Sequence, residues 1–531
     1  MPHLRPSQAD LPELGLPSSP PNDPRVLAEK LGIDYPPTGS RVRPSVPNAR
    51  GRRALFDLMG GSQAREAAPA SGLPNDPVLR LVNRINQGFQ LSEYRRARRM
   101  GFQAYLEEQL DPASIDDSAL DAQLATIPVL TMSPREVAEA YADEPGPAIY
   151  DLKGAMVMRS VLSKRQLFER MCEFWTDHFN IYHGKDPVFV MLPENDRLVT
   201  REHALGTFPE MLDASAHSAA MMFYLDNWLN FAGAPQENYA RELLELHTMG
   251  VNGGYTETDV REVAKTLTGW SLNLDSSSPD YLRFFFNKPL HQTEIKTVLG
   301  VTIPAYSFHL GGRTVLELLG SHPSTAQFLA TKLTRWLLNE NPPASVVDDA
   351  AATYTATGGD IRAMIRTILT EENLSDEAGH WAPKYKRPFH YMVSFLRGLE
   401  ADITDPLSLV FYLMTMGQSP YDWAPPNGYP DSVNVWGAGL LPRWSFISAM
   451  MQNQVPGTTT PMANTRDLIG GFQTEKLARR INQRLLGGAL TRREERIIQE
   501  YVDSTLAPFV SWRDVYEAIS LAASAPGYQT Y

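Results

Sequence analysis

Four polar side chains, Asn238, Arg241, Glu242 and Glu245, fall into one stripe of a segment that otherwise reads as a buried helix. On a helix they lie within about 100° of one another, while Tyr239, Leu243, Leu244 and Leu246 take the rest of the circumference. Glu242 and Glu245 are i,i+3 neighbours and Arg241 and Glu245 are i,i+4, so the set can form an ion-pair network. Two carboxylates facing one cleft can serve as general acid and general base, because burial and mutual repulsion push their pKa values apart. The same pair can ligate a divalent cation. Two structural readings stand beside these. Either Arg241 neutralises both acids as a buried network, or the stripe is the solvated side of an amphipathic helix.

Other groups are candidates for the same site. In the block Phe174-Trp175-Thr176-Asp177-His178-Phe179, His178 sits at the edge of an apolar arc formed by Phe168, Met171, Cys172, Trp175 and Phe179. A boundary histidine there can carry a proton or hold a metal, although satisfied structural histidines are commoner. Asp226 and Asn227 close the run MMFYLDN just before the loop into the stripe; they point into its cleft or act as turn residues. Read as a site, the set assigns catalysis to Glu242, Glu245, His178 and Asp226. Substrate contacts then fall to Asn238, Arg241, Asn227 and Trp270. His247 lies on the opposite side of the stripe helix, among the leucines, and reads as a packing histidine. Lys384, Lys386 and Arg387 form a small basic cluster that reads as a solvated turn or as an anion contact. Trp423, Tyr429, Trp436 and Trp444 anchor a loop or form a platform for a sugar ring.

No cofactor or metal is expected. His183 follows His178 by five residues, the wrong spacing for a two-histidine helical metal face. The paired Glu-x-x-His of di-iron bundles, the His-Glu-x-x-His of zinc peptidases, the Gly-x-Ser-x-Gly elbow and a phosphate-binding loop are all missing from the sequence. Arg241 between the carboxylates would also repel a cation. Chelators are therefore expected to leave the melting temperature unchanged.

These residues must be positioned by a chain of 531 residues with a formal net charge of −12 and 43% hydrophobic content. The acidic balance argues against a nucleic-acid partner and against attachment to an anionic membrane surface. The single cysteine, Cys172, excludes an intrachain disulfide and reads as a small core residue. The longest apolar run, Ser218 to Leu225, is too short to span a membrane. Residues 1–74 are rich in Pro, Ser, Gly and Arg and read as a disordered leader. Arg52-Arg53 with Ala68-Pro69-Ala70 resembles a degraded twin-arginine export signal, interrupted by Asp57, Arg65 and Glu66. That points to a cytoplasmic rather than an exported protein.

Ordered structure is expected from Asn75-Asp76-Pro77, with Asp76 as cap and Pro77 opening a helix. Helical periodicity then recurs over 102–110, 163–179, 313–319, 323–338, 361–369, 387–399 and 479–485. Capping patterns at Thr207–Glu210 and Thr256–Asp259 start two more helices, the first running to about Leu225. The one strand candidate is Tyr281–Phe286, expected to pair near Lys296–Val301. The fold class is all-α: one large multi-helix domain over 75–531, with at most a small β-hairpin near 281–301.

Beyond these patterns, the ordered blocks LVNRINQGF, CEFWTDHFNI, MMFYLDN, APQENYARELLELHTMGVNGGYTETDVREVAKTLTGW, SHPSTAQFLATKLTRW and MGQSPYDWAPPNGYP carry a likeness. The chain resembles the bacterial domain-of-unknown-function 1800 family from about Leu79 to its C-terminus. The resemblance implies a predominantly helical protein without an established activity, often encoded beside a sulfatase-like family. Thr176-Asp177 stand here where His-Asn is common, and Asn427-Gly-Tyr-Pro replaces the usual Asn-Val-Lys-Gly-Trp-Pro. Two functions remain open. One is a hydrolase or lyase on a polar, glycan-like polymer, with Glu242 and Glu245 as its acid/base pair. The other is a non-catalytic scaffold or binding partner of a sulfatase-like protein, with the stripe as a structural network.

Overall fold

Helices in this protein start where the sequence supplies a cap. Asp76 accepts from the amides of Val78 (3.0 Å) and Leu79 (3.1 Å) to open Pro77–Ile85. Thr256 and Asp259 close a reciprocal capping box on Glu257–Thr266. His322 caps Pro323–Leu337 by accepting from the Ser324 amide. The computed structural model describes residues 49–59, 73–437, 439–460, 462–471, 473–505 and 512–531. Most of the proposed leader, including Ala68–Ala70, lies outside the described residues. Its described part, Ala49–Leu58, is a helix that packs against Arg492–Thr505 and Trp512–Ser524, burying Ala54 and Leu58.

The architecture is all-α. Among the described residues the strands form three two-stranded antiparallel sheets and nothing larger. One continuous hydrophobic cluster runs through the helices, from Ala54 to Tyr528. Four elements carry the polar groups of interest or border them: α1 (Gly146–Leu162), α2 (Gln166–His178), α3 (Asn238–Glu242) and α4 (Pro323–Leu337). Cys172, on α2, is buried in the core, as its spacing predicts. No described helix is long and apolar enough to cross a membrane.

Two expectations change. The helix from Thr207 does not run unbroken to Leu225. It covers Phe208–Ala216, stops, and resumes as Ala219–Tyr224. At the break the His217 amide still donates to the Asp213 carbonyl (3.1 Å) and the Ser218 amide to the Ser215 carbonyl (3.1 Å), so the first helix closes in a tighter turn, while the Ser218 hydroxyl donates to Asn195 (2.6 Å). The strand within Tyr281–Phe286 exists as Phe284–Phe286, but it pairs with Trp270–Leu272 upstream. Lys296–Val298 instead folds back on Val301–Ile303 through a two-residue turn, Leu299-Gly300, with φ of 51° and 78°. Two positive φ values match the right-handed twist of a tight hairpin, so this segment closes on itself.

Candidate functional site

The stripe helix changes winding part-way along. Asn238–Glu242 is α-helical, and Leu243–Thr248 continues it as a π-helix in which the Thr248 hydroxyl donates to the Leu243 carbonyl at 2.6 Å. Such a turn is rare and costs helix geometry, and it recurs at functional sites. It begins directly after Glu242, carries Glu245 and His247, and buries Leu243, Leu244, His247 and Thr248. His247 is a packing residue, sealed against Phe179 and Tyr239, and burial holds it neutral, down to about 3.

The polar stripe itself is not a closed network. Arg241 turns away from the two acids, donating to Glu257 through both terminal nitrogens (2.7 and 2.8 Å) and to Glu237 (3.3 Å). Glu242 is half-buried, and among the described residues neither it nor Glu245 has a hydrogen-bond partner. Burial raises the Glu242 carboxyl above its ordinary value, the neighbouring Glu245 charge adds to this, and Arg241 only partly offsets it. Asn238 donates to the Leu225 carbonyl (3.1 Å), tying the stripe to the preceding helix.

Tyr224 connects Glu242 to the long loop after residue 420. Its pKa is raised by burial and then by the Glu242 charge, and its hydroxyl donates to the Ala424 carbonyl at 2.7 Å. Asn180 donates to the carbonyls of Trp423 and Pro425, both at 2.8 Å. Trp423 is therefore held half-exposed on a pinned loop, its indole N–H donating to Asn427 (3.0 Å). Of the four loop aromatics, Tyr429 and Trp436 are buried anchors.

The remaining candidates separate. Asp226, in the left-handed conformation at φ 62°, is ion-paired to Lys185 at 2.5 Å. Asn227 is buried, donating to the Trp270 carbonyl and accepting from Asn230. Trp270 has no exposed surface and packs on Gly312, where a Cβ would come within 2.2 Å of the ring. Both residues close the fold around the site and cannot reach a substrate in this structure. His178 is 1% exposed and lies across the π-turn from the acids, its Nε2 hydrogen donated to the His247 carbonyl at 3.0 Å. Its Nδ1 accepts from Lys332 Nζ at 2.8 Å, and burial keeps the ring neutral. It fixes Lys332 and has no free nitrogen for chemistry.

A second polar assembly, which local spacing does not single out, surrounds α2. Glu173 accepts from Arg387 (2.5 Å), Gln87 (2.8 Å) and Arg170 (3.0 Å). Asp177, one turn on, accepts from the other Arg387 nitrogen at 2.6 Å. Burial and the adjacent Glu173 outweigh that shared guanidinium and push Asp177 up to about 6. Burial likewise lowers Lys332, on α4, to about 8. Trp336 lies between the guanidinium groups of Arg170 (4.0 Å) and Arg387 (4.7 Å). The basic cluster is thus no solvated turn: Lys384, Lys386 and Arg387 are all buried, with Lys384 paired to Asp431 at 2.7 Å. Beside it, Lys153 and His183 converge on one oxygen of Asp422, at 2.6 and 2.5 Å. The i,i+4 spacing of Glu173 and Asp177 was the available signal, equivalent to that of the stripe. Among the described residues, no three His, Cys, Asp or Glu side chains are grouped to hold a metal ion.

The structure thus defines an all-helical protein with a half-open carboxylate pair and a sealed ionic network on adjacent helices. The chain belongs to the family described as "Protein of unknown function (DUF1800)", which it matches over residues 80–530. Neither the curated proteins nor the solved structures that were compared include a match to it.

Proposed function

We propose that the protein is a hydrolase or lyase acting on a polar, glycan-like polymer, with Glu242 as the proton donor and Glu245 as its partner carboxylate. One observation carries this reading. Glu242 is a half-buried acid with a raised pKa and no cation committed to it, because Arg241 is spent on Glu237 and Glu257. A carboxyl whose pKa is raised holds its proton to higher pH and can protonate a leaving group, and a neighbouring carboxylate can take a proton from water or from substrate carbon. The pinned, half-exposed Trp423 offers a flat apolar face of the kind that sugar rings stack on. Asp226 and Lys185 supply a polar pair at the end of the preceding helix. Glu242→Gln keeps shape and removes the proton, so it tests the assignment. Release of reducing or unsaturated ends from a panel of polysaccharides should fall at least ~100-fold with no loss of melting temperature. Unaltered activity in this variant would reject the acid role.

A second reading, a non-catalytic binding partner of a sulfatase-like protein, has its own support. Phe285, Leu290, Ile295, Val301, Tyr306 and Leu310 all stand exposed within one short segment. Solvent-facing large apolar side chains at that density mark contact surfaces. Co-sedimentation with the sulfatase-like neighbour, lost on Ile295→Asp plus Leu310→Asp, would favour this reading, provided that Glu242→Gln leaves complex formation intact.

A further inference from the structure

α4 brings Lys332 to the end of α2, where it stands half-buried beside His178 and Phe328. Its Nζ donates to His178 Nδ1 at 2.8 Å and lies 5.4 Å from the centre of the Phe328 ring. Gly250, at φ 79°, lets the chain after the π-turn pass that ring; a Cβ there would stand 2.8 Å from it. Toward the amine His178 can only accept, because its other nitrogen gives its hydrogen to the His247 carbonyl. Other enclosed lysines are compensated differently. Lys153 on α1 and Lys384 each meet a carboxylate, Asp422 at 2.6 Å and Asp431 at 2.7 Å, and the buried Lys386 lies 3.5 Å over the Tyr528 ring. Lys332 is left open at one side, its hydrogen-bond partner is an uncharged ring, and among the described residues no carboxylate is ion-paired to it. The titratable and charged groups around it are Asp177 and His178 on α2, His247 on the π-turn and Arg335 on α4. Burial disfavours its ammonium, Asp177 opposes that and Arg335 reinforces it, so the amine titrates at about 8. A lysine desolvated beside apolar rings and another cation is a nucleophile at neutral pH.

We propose that Lys332 is an imine-forming residue that takes a small aldehyde or an unhindered ketone. The neutral Nζ adds to the carbonyl carbon, a proton passes from nitrogen to oxygen, and the carbinolamine loses water to leave a C=N bond. His178 holds one N–H and so fixes the direction of the lone pair. The protonated imine keeps one N–H, which the same ring nitrogen accepts. Asp177, the carboxyl whose charge acts on Lys332, is the acid that can protonate the departing hydroxyl. The flanking Phe328 and His178 rings restrict the carbonyl compound to a slender one. The site does not rest on the role given to Glu242.

Reductive alkylation of the full chain with propanal and cyanoborohydride, followed lysine by lysine with peptide mass spectrometry, tests the proposal. Near neutrality an amine of this basicity is neutral about a hundredfold more often than an ordinary lysine. Lower basicity and partial burial offset part of that, so at about pH 7.5 Lys332 should react at least about tenfold faster than the exposed Lys476. Its rate should be half-maximal at about pH 8. Without the reductant the adduct should disappear on dialysis, as an imine does, and in denaturing urea the advantage over Lys476 should vanish. The wild-type chain alone carries the test, so no variant has to fold. A Lys332 rate no higher than that of Lys476, a rate that rises only through about pH 10, an adduct that survives dialysis unreduced, or a fast rate kept in urea would overturn the proposal.

Discussion

On α2 every carboxylate meets a guanidinium: Glu169 holds Arg201 through both oxygens, Glu173 holds Arg170 and Arg387, and Asp177 shares Arg387. On α3 and the π-turn after it, Glu242 and Glu245 meet none, although an arginine stands next to them in the chain. Both helices carry acids three or four residues apart on a mostly apolar body. What differs is where the arginines turn. Arg170 of α2 itself, and Arg387 and Arg201 from distant segments, all face the α2 acids, whereas Arg241 turns from its own helix neighbours to Glu237 and Glu257. A buried ion pair that is fully matched fixes one arrangement of the elements around it, at little net gain in stability. An acid left half-buried and unmatched costs stability, and it keeps a proton that chemistry can use. A structural network and a candidate site, alike in sequence, are told apart by whether the arginines face the acids or turn away from them.

The largest expected effect is at the sealed network. Arg387→Ala leaves Asp177 without its hydrogen-bonded cation and Glu173 short of one, and should cost about 3–5 kcal/mol, read as a Tm lower by about 3–5 °C. A loss no larger than that of a surface substitution would remove the contrast between the two helices. Next comes Gly428→Ala. The glycine holds φ 71° and lies so near the Asp177 backbone that a Cβ would come within 2.1 Å of its carbonyl oxygen. We expect a cost of about 2–4 kcal/mol by denaturant unfolding, with Ala at the neighbouring exposed Asn427 nearly neutral.

Glu242→Gln sharpens the comparison from the other side. A carboxyl whose folded pKa is raised binds more protons folded than unfolded, so the stability it contributes is present at low pH. That stability is lost as pH rises from the ordinary glutamate value through the raised one. The glutamine variant should therefore match the wild type near pH 4 and be slightly more stable at pH 7, by about 1–2 °C in Tm. A variant less stable at pH 7 would mean that Glu242 is a bonded structural acid after all. The smallest effect belongs to Arg241→Ala. Its partners are exposed, and such pairs contribute about 0–1 kcal/mol, screened by salt. A Tm drop beyond about 3 °C would show that Arg241 does more than cover the surface.

Much of the fold was legible in local patterns. Asp76 and Thr256 each cap the helix they precede, and the periodic runs at 102–110, 323–338 and 361–369 became helices within a residue or so of those bounds. Caps and apolar periods act over three or four residues, so the sequence carries them whole. The strand partner of Phe284–Phe286 was not legible, because pairing with Trp270 depends on how the intervening chain closes. The site divided in the same way. Spacing placed Glu242 and Glu245 on one stripe and His247 opposite them, and it marked Cys172 as core.

Spacing could not say that Arg241 would turn outward or that Lys384, Lys386 and Arg387 would be enclosed. Nor could it say that His178 would spend one nitrogen on Lys332 and the other on His247. Those outcomes depend on which charges from remote segments are buried together. Desolvation makes that choice once the core has closed, and no window of local sequence contains it.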